Sequence, residues 1–426
     1  MTRIQFHAQA IVCSVPLNHP VEGLAAASAD RYPSGTDLAA GGDRTAQPTR
    51  ISMGQKPTFN QEDILRDEIV EVENALVVPP LKGLKNAPVQ KSGVFDANAS
   101  FVDASSLYRP NGRFNHPPDL PDASEILTLE GRYMYGGPMF GHFGHFLMDT
   151  MSRIWAIGHL RDKIDGVVFT PKTNTGNVEH VVTVQTPMIR AFGLDKPVHL
   201  ITDPTRVDML YVPTQGVGTG SGWEIASEAF REHMREYGGK TVAPDGPEKI
   251  YISRSELPVQ RASYLSEKIL ESHLEAAGYA IIHPQKLPKE EQIARYRAAR
   301  YVISPDGSPL HMLAYVGPKD QKVAIIARRG VEMNQIFQSQ IEAFTGADAV
   351  TINCLRADWI PERARVPGRL SWGEVDMSKL YHELMANGFL PADTLPWPDI
   401  PQDAVAEELA KIEDAEGMKF RRFQDD

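Results

Sequence analysis

The second half of the chain alternates strand-like and helix-like segments with unusual regularity. Between Lys249 and Arg329, short runs rich in Ile and Val are separated by amphipathic segments of helical length. Strands joined by helices need crossover connections, and such connections place the strands parallel in one sheet. Ligands of a doubly wound sheet bind beyond the carboxyl ends of its strands, so the loops after Ile252, Ile303 and Ile326 are candidate binding loops. The predicted strands are KIYISRS, YAIIHP, YVISP, KVAIIARR and ADAVTINCL, and the predicted helices are ASYLSEKILESHLEAAG, PKEEQIARYRAAR, SPLHMLAYVG and VEMNQIFQSQIEAFTG.

The first half predicts a mixed α/β region. A segment dense in Gly and Pro, YGGKTVAPDGPEK, predicts a boundary between the halves. We therefore divide the chain into a flexible N-terminal arm (1–55), an N-terminal α/β domain (56–245), a C-terminal Rossmann-like domain (246–355) and a tail that packs back on the surface (356–426). Strands are expected at NALVVPP, EILTLEGRYMY, GVVFTP and VHLITDP, a helix at VQTPMIRAFGL, and a charged helix near Ala404 to Lys419.

Charge and composition exclude several classes of protein. With a net charge of -11 and a pI of about 5.7, the chain has no overall basic field to hold nucleic acid or an anionic membrane. Only Cys13 and Cys354 occur, which excludes a disulfide framework and a Cys-rich zinc site. We find no signal peptide and no apolar run long enough to cross a bilayer. We expect a cytoplasmic protein with no transmembrane segment and no nucleic-acid partner.

The segment GHFGHFLMDTMSRIW carries the strongest candidate for chemistry. On a regular helix, His142, His145, Asp149 and Arg153 share one stripe, and this stripe faces either water or a ligand. His and Asp are poor helix formers and therefore unusual on a solvated face. A carboxylate four residues after a histidine can hold one ring nitrogen and leave the other as a base. The opposite, apolar side of the helix is expected to contain Leu147, Met151, Ile154 and Trp155.

The same segment leaves a metal-dependent alternative open. His142, His145 and Asp149 could supply three ligands from adjacent turns, as in a metal-dependent hydrolase. No HExxH pattern or further His/Cys cluster supports a metal site, and we expect none.

The second half contains a candidate anion site. In SPDGSPLHMLAYVG, Ser308 is predicted as the N-cap of a helix and Pro309 as its first residue, so free N–H groups can face a phosphate. Arg254 and Arg261 follow the first strand of the sheet, and their planar guanidinium groups suit a diphosphate. The chain has neither GxxxxGK[ST] nor GxGxxG, so neither an ATPase nor a standard dinucleotide enzyme is indicated.

These motifs resemble, in their order, those of glycosyltransferase family 61, also called the DUF563 or capsular polysaccharide biosynthesis family. GHFLMDTMSRIW is similar to the family's His, three residues, Asp, then Arg-x-Trp pattern. Three later segments are similar as well, and together the resemblance extends from about Gly131 to Ala327. These segments are YISRS, LEAAGYAIIHPQKLPKEEQI and ARYVISPDGSPLHMLAYVGP.

The resemblance implies a GT-B fold, in which two Rossmann-like domains with parallel sheets face a cleft. It also implies an inverting, metal-independent transferase that moves a sugar from a nucleotide sugar to an acceptor hydroxyl, with no further cofactor. The resemblance further implies that His145 and Asp149 are catalytic, and it leaves open which of them is the base. It also implies that His142 and Arg153 lie on the acceptor side. The implied donor-binding residues are Arg254, Arg261, Gln292, Asp306, Gly307 and Ser308.

Two departures from the family pattern keep a second hypothesis open. Asp306 stands where the family commonly has His, and Ser266-Glu267 stands where it has an Asn-Glu pair. A carboxylate beside a diphosphate would repel it unless the carboxylate binds a hydroxyl or faces away. The alternative is therefore a catalytically inactive protein that binds a nucleotide sugar or a glycan.

We expect a glycosyltransferase of capsular or surface polysaccharide biosynthesis. Its partners are a nucleotide sugar and a glycan acceptor, and the expectation extends to peripheral association with a polysaccharide assembly complex. The chemistry is expected at His145, oriented by Asp149, opposite Arg254, Arg261 and the helix that follows Ser308.

Overall fold

Two large sheets of different connectivity form the framework of the structure, a computed structural model that describes residues 60–84, 89–220, 222–329 and 334–423. The predicted arm, residues 1–55, lies outside the described residues. Among the described residues, no helix is long and apolar enough to cross a membrane.

The strands of the described part are numbered in chain order. They are β1 (Ile69–Val78), β2 (Gln90–Lys91), β3 (Gly93–Phe95), β4 (Tyr108–Arg109), β5 (Gly112–Arg113), β6 (Asn115–His116), β7 (Leu127–Met139), β8 (Gly166–Pro171), β9 (Val198–Leu200), β10 (Thr205–Pro213), β11 (Lys249–Ile252), β12 (Ala280–Ile282), β13 (Tyr301–Pro305), β14 (Lys322–Ile326), β15 (Asp348–Ile352), β16 (Leu355–Pro361), β17 (Trp372–Val375) and β18 (Phe420–Arg422).

The α-helices are numbered in the same way. They are α1 (Gln61–Ile64), α2 (Phe143–His145), α3 (Ile157–Leu160), α4 (Val178–Ala191), α5 (Glu228–Tyr237), α6 (Glu267–Ala276), α7 (Lys289–Ala298), α8 (Pro309–Val316), α9 (Asn334–Thr345), α10 (Met377–Ala386) and α11 (Gln402–Glu416).

The first sheet has six strands in the order β3-β1-β10-β7-β8-β9. β1 runs antiparallel to both of its neighbours, whereas β10, β7, β8 and β9 are parallel. Every residue of β8 is buried, as expected of a strand covered on both faces. The expected strands are present, but β9 ends at Leu200 and the following strand β10 was not predicted.

The second sheet has five strands, all parallel, in the order β12-β11-β13-β14-β15. This confirms the α/β prediction and all five of its strands. The strand order reverses between β11 and β13, so their carboxyl ends flank the topological switch point where such sheets bind ligands. The helix predicted from Ala262 begins at Glu267, because a 3₁₀ turn and left-handed Ser266 precede it.

A third, antiparallel sheet, β17-β16-β18, was not predicted. The last helix was expected near Ala404 to Lys419 and is observed as α11. Side chains after β15 share one hydrophobic cluster with the second sheet, for example Leu380 with Ile303 and Trp397 with Leu270. The tail therefore contributes to the core instead of only covering the surface.

The two large sheets also share a hydrophobic cluster, in which Met148 and Phe230 pack with Leu313 and Tyr315. The Tyr315 hydroxyl donates a hydrogen bond to the Leu147 carbonyl oxygen at 3.2 Å. Helix α8 of the second half is therefore attached directly to the His145 segment of the first half.

Candidate active site

The segment that was expected to form one regular helix changes its helical type along its length. After α2, residues Phe146–Thr150 form a π-helical turn and Met151–Ala156 a 3₁₀-helix, before α3 begins. The Thr150 hydroxyl accepts a hydrogen bond from the Phe140 N–H (2.9 Å) and donates one to the Pro138 carbonyl (3.0 Å). The predicted 100° spacing is therefore wrong here, and all side chains from Phe146 to Ala156 are buried. π-Turns occur frequently at functional sites.

Within this segment, His145 and Asp149 are in contact. His145 Nδ1 lies 2.8 Å from Asp149 Oδ2, and the exposed fractions of the two side chains are 43% and 1%. The imidazole stacks on Phe140, with ring centroids 5.4 Å apart. If Nδ1 carries the proton donated to the carboxylate, Nε2 remains unprotonated and can accept a proton.

Arg109, which the sequence analysis missed, completes this group. It belongs to the β4–β5 hairpin, and its Nη2 donates to Asp149 Oδ2 at 2.8 Å across a separation of 40 residues. Asp149 Oδ2 thus accepts from both Arg109 and His145, while the buried Oδ1 has no hydrogen-bond partner among the described residues. The carboxylate is held between a permanent cation and the imidazole. No local pattern marks two-residue strands, so this contact could not be predicted.

His142 connects the first half of the chain to the second. Its Nε2 lies 3.2 Å from Nη1 of Arg261, and its ring centroid lies 5.4 Å from that of His145. Partial burial, together with the charges of His145, Arg261, Lys172 and Arg369, lowers the pKa of His142 to about 4. The imidazole is therefore neutral at physiological pH and can accept a hydrogen bond from Arg261.

Arg153 does not reach the site, which corrects its predicted acceptor-side role. The side chain is fully buried and donates to the carbonyl oxygens of Pro213 (2.9 Å), Ala104 (3.0 Å) and Ser106 (2.6 Å). Burial lowers the pKa of Arg153 to about 10, which leaves the guanidinium charged at neutral pH. Gly137 has a φ of +90°, and a Cβ there would lie 2.7 Å from Arg153 Nη1, so the bend in β7 provides the space for this arginine.

Ser308 and Pro309 lie at the start of α8, as predicted, but the Ser308 side chain makes no capping hydrogen bond. The Leu310 N–H already donates to the Gly307 carbonyl (3.0 Å) and the His311 N–H to the Ser308 carbonyl (3.2 Å). Only the N–H groups of Gly307 and Ser308 remain available at this loop. The Ser308 hydroxyl faces Gly144, where a Cβ would lie 2.6 Å from Oγ. The loop between β13 and α8 and the His145 segment are therefore adjacent.

Arg254 lies at the carboxyl end of β11, on one side of the switch point. Its Nη2 donates to the carbonyls of Arg261 (2.7 Å) and Ala262 (3.1 Å), while Nη1 lies beside Gly307. Burial and the nearby charge of Arg328 lower the pKa of Arg254 to about 10, so it stays charged at neutral pH. Its free edge faces the loop that follows β13.

Asp306 faces Arg328, a residue that the sequence analysis did not name. The Asp306 carboxylate accepts from the Arg328 backbone N–H (2.9 Å) and lies 3.3 Å from its Nη2. Both side chains are almost completely buried, and Arg328 also donates to the Ala262 carbonyl at 3.0 Å. Asp306 therefore has its own cation, and it supports Arg328 instead of offering a surface to a donor.

Gln292, which was predicted to contact the donor, lies inside the second half of the chain. It is fully buried, and its amide nitrogen donates to the carbonyls of Pro284 (2.6 Å) and Leu287 (2.9 Å). It fixes the loop between β12 and α7.

The site as a whole is cationic although the chain is acidic. The two carboxylates within it, Asp149 and Asp306, each bind an arginine. Burial raises the pKa of a third carboxyl, Glu267, which lies behind Arg254. The cationic residues around these groups are Arg109, Lys172, Arg254, Arg261, Arg328, Arg329 and Arg369.

The geometry does not support the metal-dependent alternative. Among the described residues, no group of three or more His, Cys, Asp or Glu side chains is arranged to hold a metal ion. At Asp149, the Oδ2 atom is already in contact with both Arg109 and His145.

Residues 143–324 match the family model described as Glycosyltransferase 61. The matched range contains His145, Asp149, Arg254 and Asp306, whereas Arg109 precedes it and Arg328 follows it. Among curated proteins, no relative matches the chain.

Proposed function

We propose that this chain, whose residues 143–324 match the family model described as Glycosyltransferase 61, is a glycosyltransferase. In this proposal it moves a sugar from a nucleotide-sugar donor to a hydroxyl of a glycan acceptor with inversion. One observation carries this proposal. The half-exposed imidazole of His145, fixed by Asp149, is adjacent to the arginine-rich carboxyl end of the parallel sheet.

His145 acts as the base in this proposal. Its Nε2 takes the proton of the acceptor hydroxyl as the hydroxyl oxygen attacks the anomeric carbon of the donor sugar. The bond between that carbon and the diphosphate oxygen breaks, and the diphosphate leaves with the electron pair. A single displacement of this kind inverts the anomeric configuration. Asp149 stabilises the imidazolium that forms, and Arg109 keeps the carboxylate in place.

The leaving diphosphate is neutralised by the second half of the chain. Arg254 Nη1, Arg261 and the N–H groups of Gly307 and Ser308 supply fixed donors where negative charge develops. Arg328, held by Asp306, adds positive charge behind them. We propose that these groups suffice without a metal ion or further cofactor, and that the pairing of Asp306 with Arg328 preserves activity.

We also propose a GT-B arrangement for the chain. In it, residues 56–245 form the acceptor-side domain, residues 246–355 form the nucleotide-sugar domain, and residues 356–426 complete the latter. The parallel sheet and its switch point support the donor side. A cytoplasmic enzyme of capsular or surface polysaccharide biosynthesis, in peripheral association with an assembly complex, is the setting that the family resemblance favours.

A donor screen followed by a transfer assay tests the proposal. Calorimetric titration with a panel of nucleotide sugars should give one preferred donor, and acceptor addition should release its nucleotide. NMR of the product should show the opposite anomeric configuration, and excess EDTA should leave the rate unchanged. Binding without nucleotide release across a range of acceptors would favour the inactive binding protein, and retention of configuration would exclude the displacement described above.

A further inference from the structure

An arginine-rich loop of the third sheet lies outside the family match and has no role in the mechanism above. It joins β16 to β17 over residues 362–371 and contains Arg363, Arg365 and Arg369, with a single acidic residue, Glu362. All three arginines are exposed, and none forms a salt bridge with the part of the chain that the structure describes. We call this segment the arginine loop.

The arginine loop is ordered at both of its ends. The Ala364 N–H donates to the Pro361 carbonyl (2.8 Å), and Arg421 Nη2 donates to the Ala364 carbonyl (3.0 Å). At the other end, the Gly368 N–H donates to Ser371 Oγ at 2.7 Å. The backbone that carries these arginines is therefore fixed by the fold before any ligand binds.

The loop leads directly into the cationic site. The strand that follows it is hydrogen-bonded to the segment beside Arg261, through Gly373 N–H to Ser263 O (3.0 Å) and Leu265 N–H to Gly373 O (2.9 Å). A Cβ at Gly373 would lie 2.6 Å from the Arg328 carbonyl oxygen, so only glycine permits this close packing. The positive charge of Arg369 contributes to the low pKa of His142, on the side where the base lies.

The distribution of charge separates two functions. Arg254 lies beside Gly307 in the loop after β13, where the donor diphosphate is proposed to bind, whereas the charges of Arg369 and Lys172 act on His142. The chain as a whole carries a net charge of -11 and repels polyanions elsewhere. The unpaired arginines therefore make this surface a candidate for binding a polyanion.

Resting on the proposed function, we propose that the acceptor is an anionic glycan with carboxylate or phosphate groups along its chain. The arginine loop and Lys172 hold this glycan while one of its hydroxyl groups is presented to His145. The guanidinium groups bind the acid groups of sugars that flank the reacting unit. The positions of the guanidinium groups then select acceptors by their charge instead of by sugar identity alone.

Calorimetry with defined oligosaccharides tests this. The probes are hexagalacturonate, its fully methyl-esterified neutral form, and a glycerol-phosphate hexamer, which distinguishes carboxylate from phosphate recognition. At low salt, at least one anionic probe should bind about tenfold or more tighter than the neutral hexamer, and the affinity should fall as salt rises.

The variant Arg363→Gln/Arg365→Gln, which keeps Arg369 beside the site, should weaken that binding about tenfold. Arg300→Gln is the control, because Arg300 is also exposed but precedes β13 in the second sheet, where it pairs with Glu248 and Asp320. UDP and GDP titrations should be unaffected by the loop variant, so that loss of the acceptor preference is distinguishable from failure of the donor site.

Equal binding of neutral and anionic hexamers, or unchanged binding by the loop variant, would overturn the proposal. Binding to vesicles that contain phosphatidylglycerol is measured with the same variant. If the variant loses affinity for these vesicles but not for the anionic hexamers, the loop binds a membrane surface and the proposal is overturned.

Discussion

The two sides of the proposed active site are built in opposite ways. The back side, with Arg254, Asp306 and Arg328, lies at the carboxyl ends of regular parallel strands, where topology alone places ligand-binding loops. The front side, with His145 and Asp149, lies on a segment that passes from α to π to 3₁₀ geometry and is completed by Arg109 from a distant hairpin. The regular parallel sheet thus positions the arginines, and the irregular helical segment positions the proposed base, His145.

The largest effect should come from the front side. Asp149→Asn removes the negative charge that orients the His145 ring and stabilises its protonated form, so we expect the transfer rate to fall about 10²- to 10³-fold. Donor affinity should change little, because Asp149 contacts no proposed donor group. The measurement is single-turnover transfer with saturating donor. A rate within a few fold of the unmodified protein would remove Asp149 from the mechanism.

Arg153→Met separates the architecture of the front side from its chemistry. The change leaves three carbonyl oxygens without their donor in the core. We expect the free energy of unfolding to fall by about 3 kcal/mol, measured by urea denaturation. Arg190→Met, an exposed position on α4, is the control. A stable Arg153 variant with altered acceptor KM would restore the acceptor-side role.

Acidification should destabilise the contact between the two sides. Burial lowers the pKa of His311, on α8, from 6.5 to about 4. The folded state therefore keeps this ring neutral, and its contribution to stability is complete above pH 6.5. That contribution is lost as the pH falls toward 4, because His311 binds a proton in the unfolded chain but not in the folded chain.

His311→Leu tests this sign. The slope of unfolding free energy against pH, between pH 6.5 and 4.5, should decrease by roughly 1 kcal/mol per pH unit relative to the unmodified protein. Because the slope is compared and not the absolute stability, the result stands even if the variant is less stable at pH 7. An unchanged slope would contradict it.

A smaller effect is expected from Arg254→Gln on the back side. Loss of one guanidinium should weaken donor binding about tenfold, because Arg261 and the N–H groups of the loop remain. The transfer rate at saturating donor should fall less than with Asp149→Asn. Unchanged donor affinity would place the diphosphate elsewhere.

The smallest effect is a gain in stability. Ser266 has a φ of 61°, a left-handed conformation that asparagine tolerates better than serine. Ser266→Asn should therefore raise the free energy of unfolding by about 0.5 kcal/mol or less. A loss greater than about 1 kcal/mol would show that the hydrogen bond of the serine hydroxyl to Glu408 matters more than the backbone.

The sequence predicts the back side better than the front, for physical reasons. Strand and helix periodicity identifies the parallel sheet, and the spacing of His145 and Asp149 identifies a pair in which both partners are local. The π turn leaves no periodic signal, which is why Arg153 was assigned to an accessible stripe. The contacts Arg109–Asp149 and Asp306–Arg328 join residues 40 and 22 positions apart, and only the tertiary fold brings them together.

The third sheet was missed for a related reason. Its strands are short, and they pair β16 with β18 from opposite ends of the tail. Two helices lie between the paired segments, so the sequence contains no short turn that would indicate a hairpin between them. The arginine loop was consequently assigned to a surface tail.

The central claim is that the base lies in the front half and the donor charge in the back half. The most direct test measures the dissociation constant of the donor and the transfer rate on the same preparation of His145→Ala. The control is His180→Ala, which changes an exposed histidine of α4. The account predicts a transfer rate reduced about 10³-fold or more with donor affinity unchanged, and a control that behaves like the unmodified protein. Transfer that survives the loss of His145, or donor binding that disappears with it, would contradict the account.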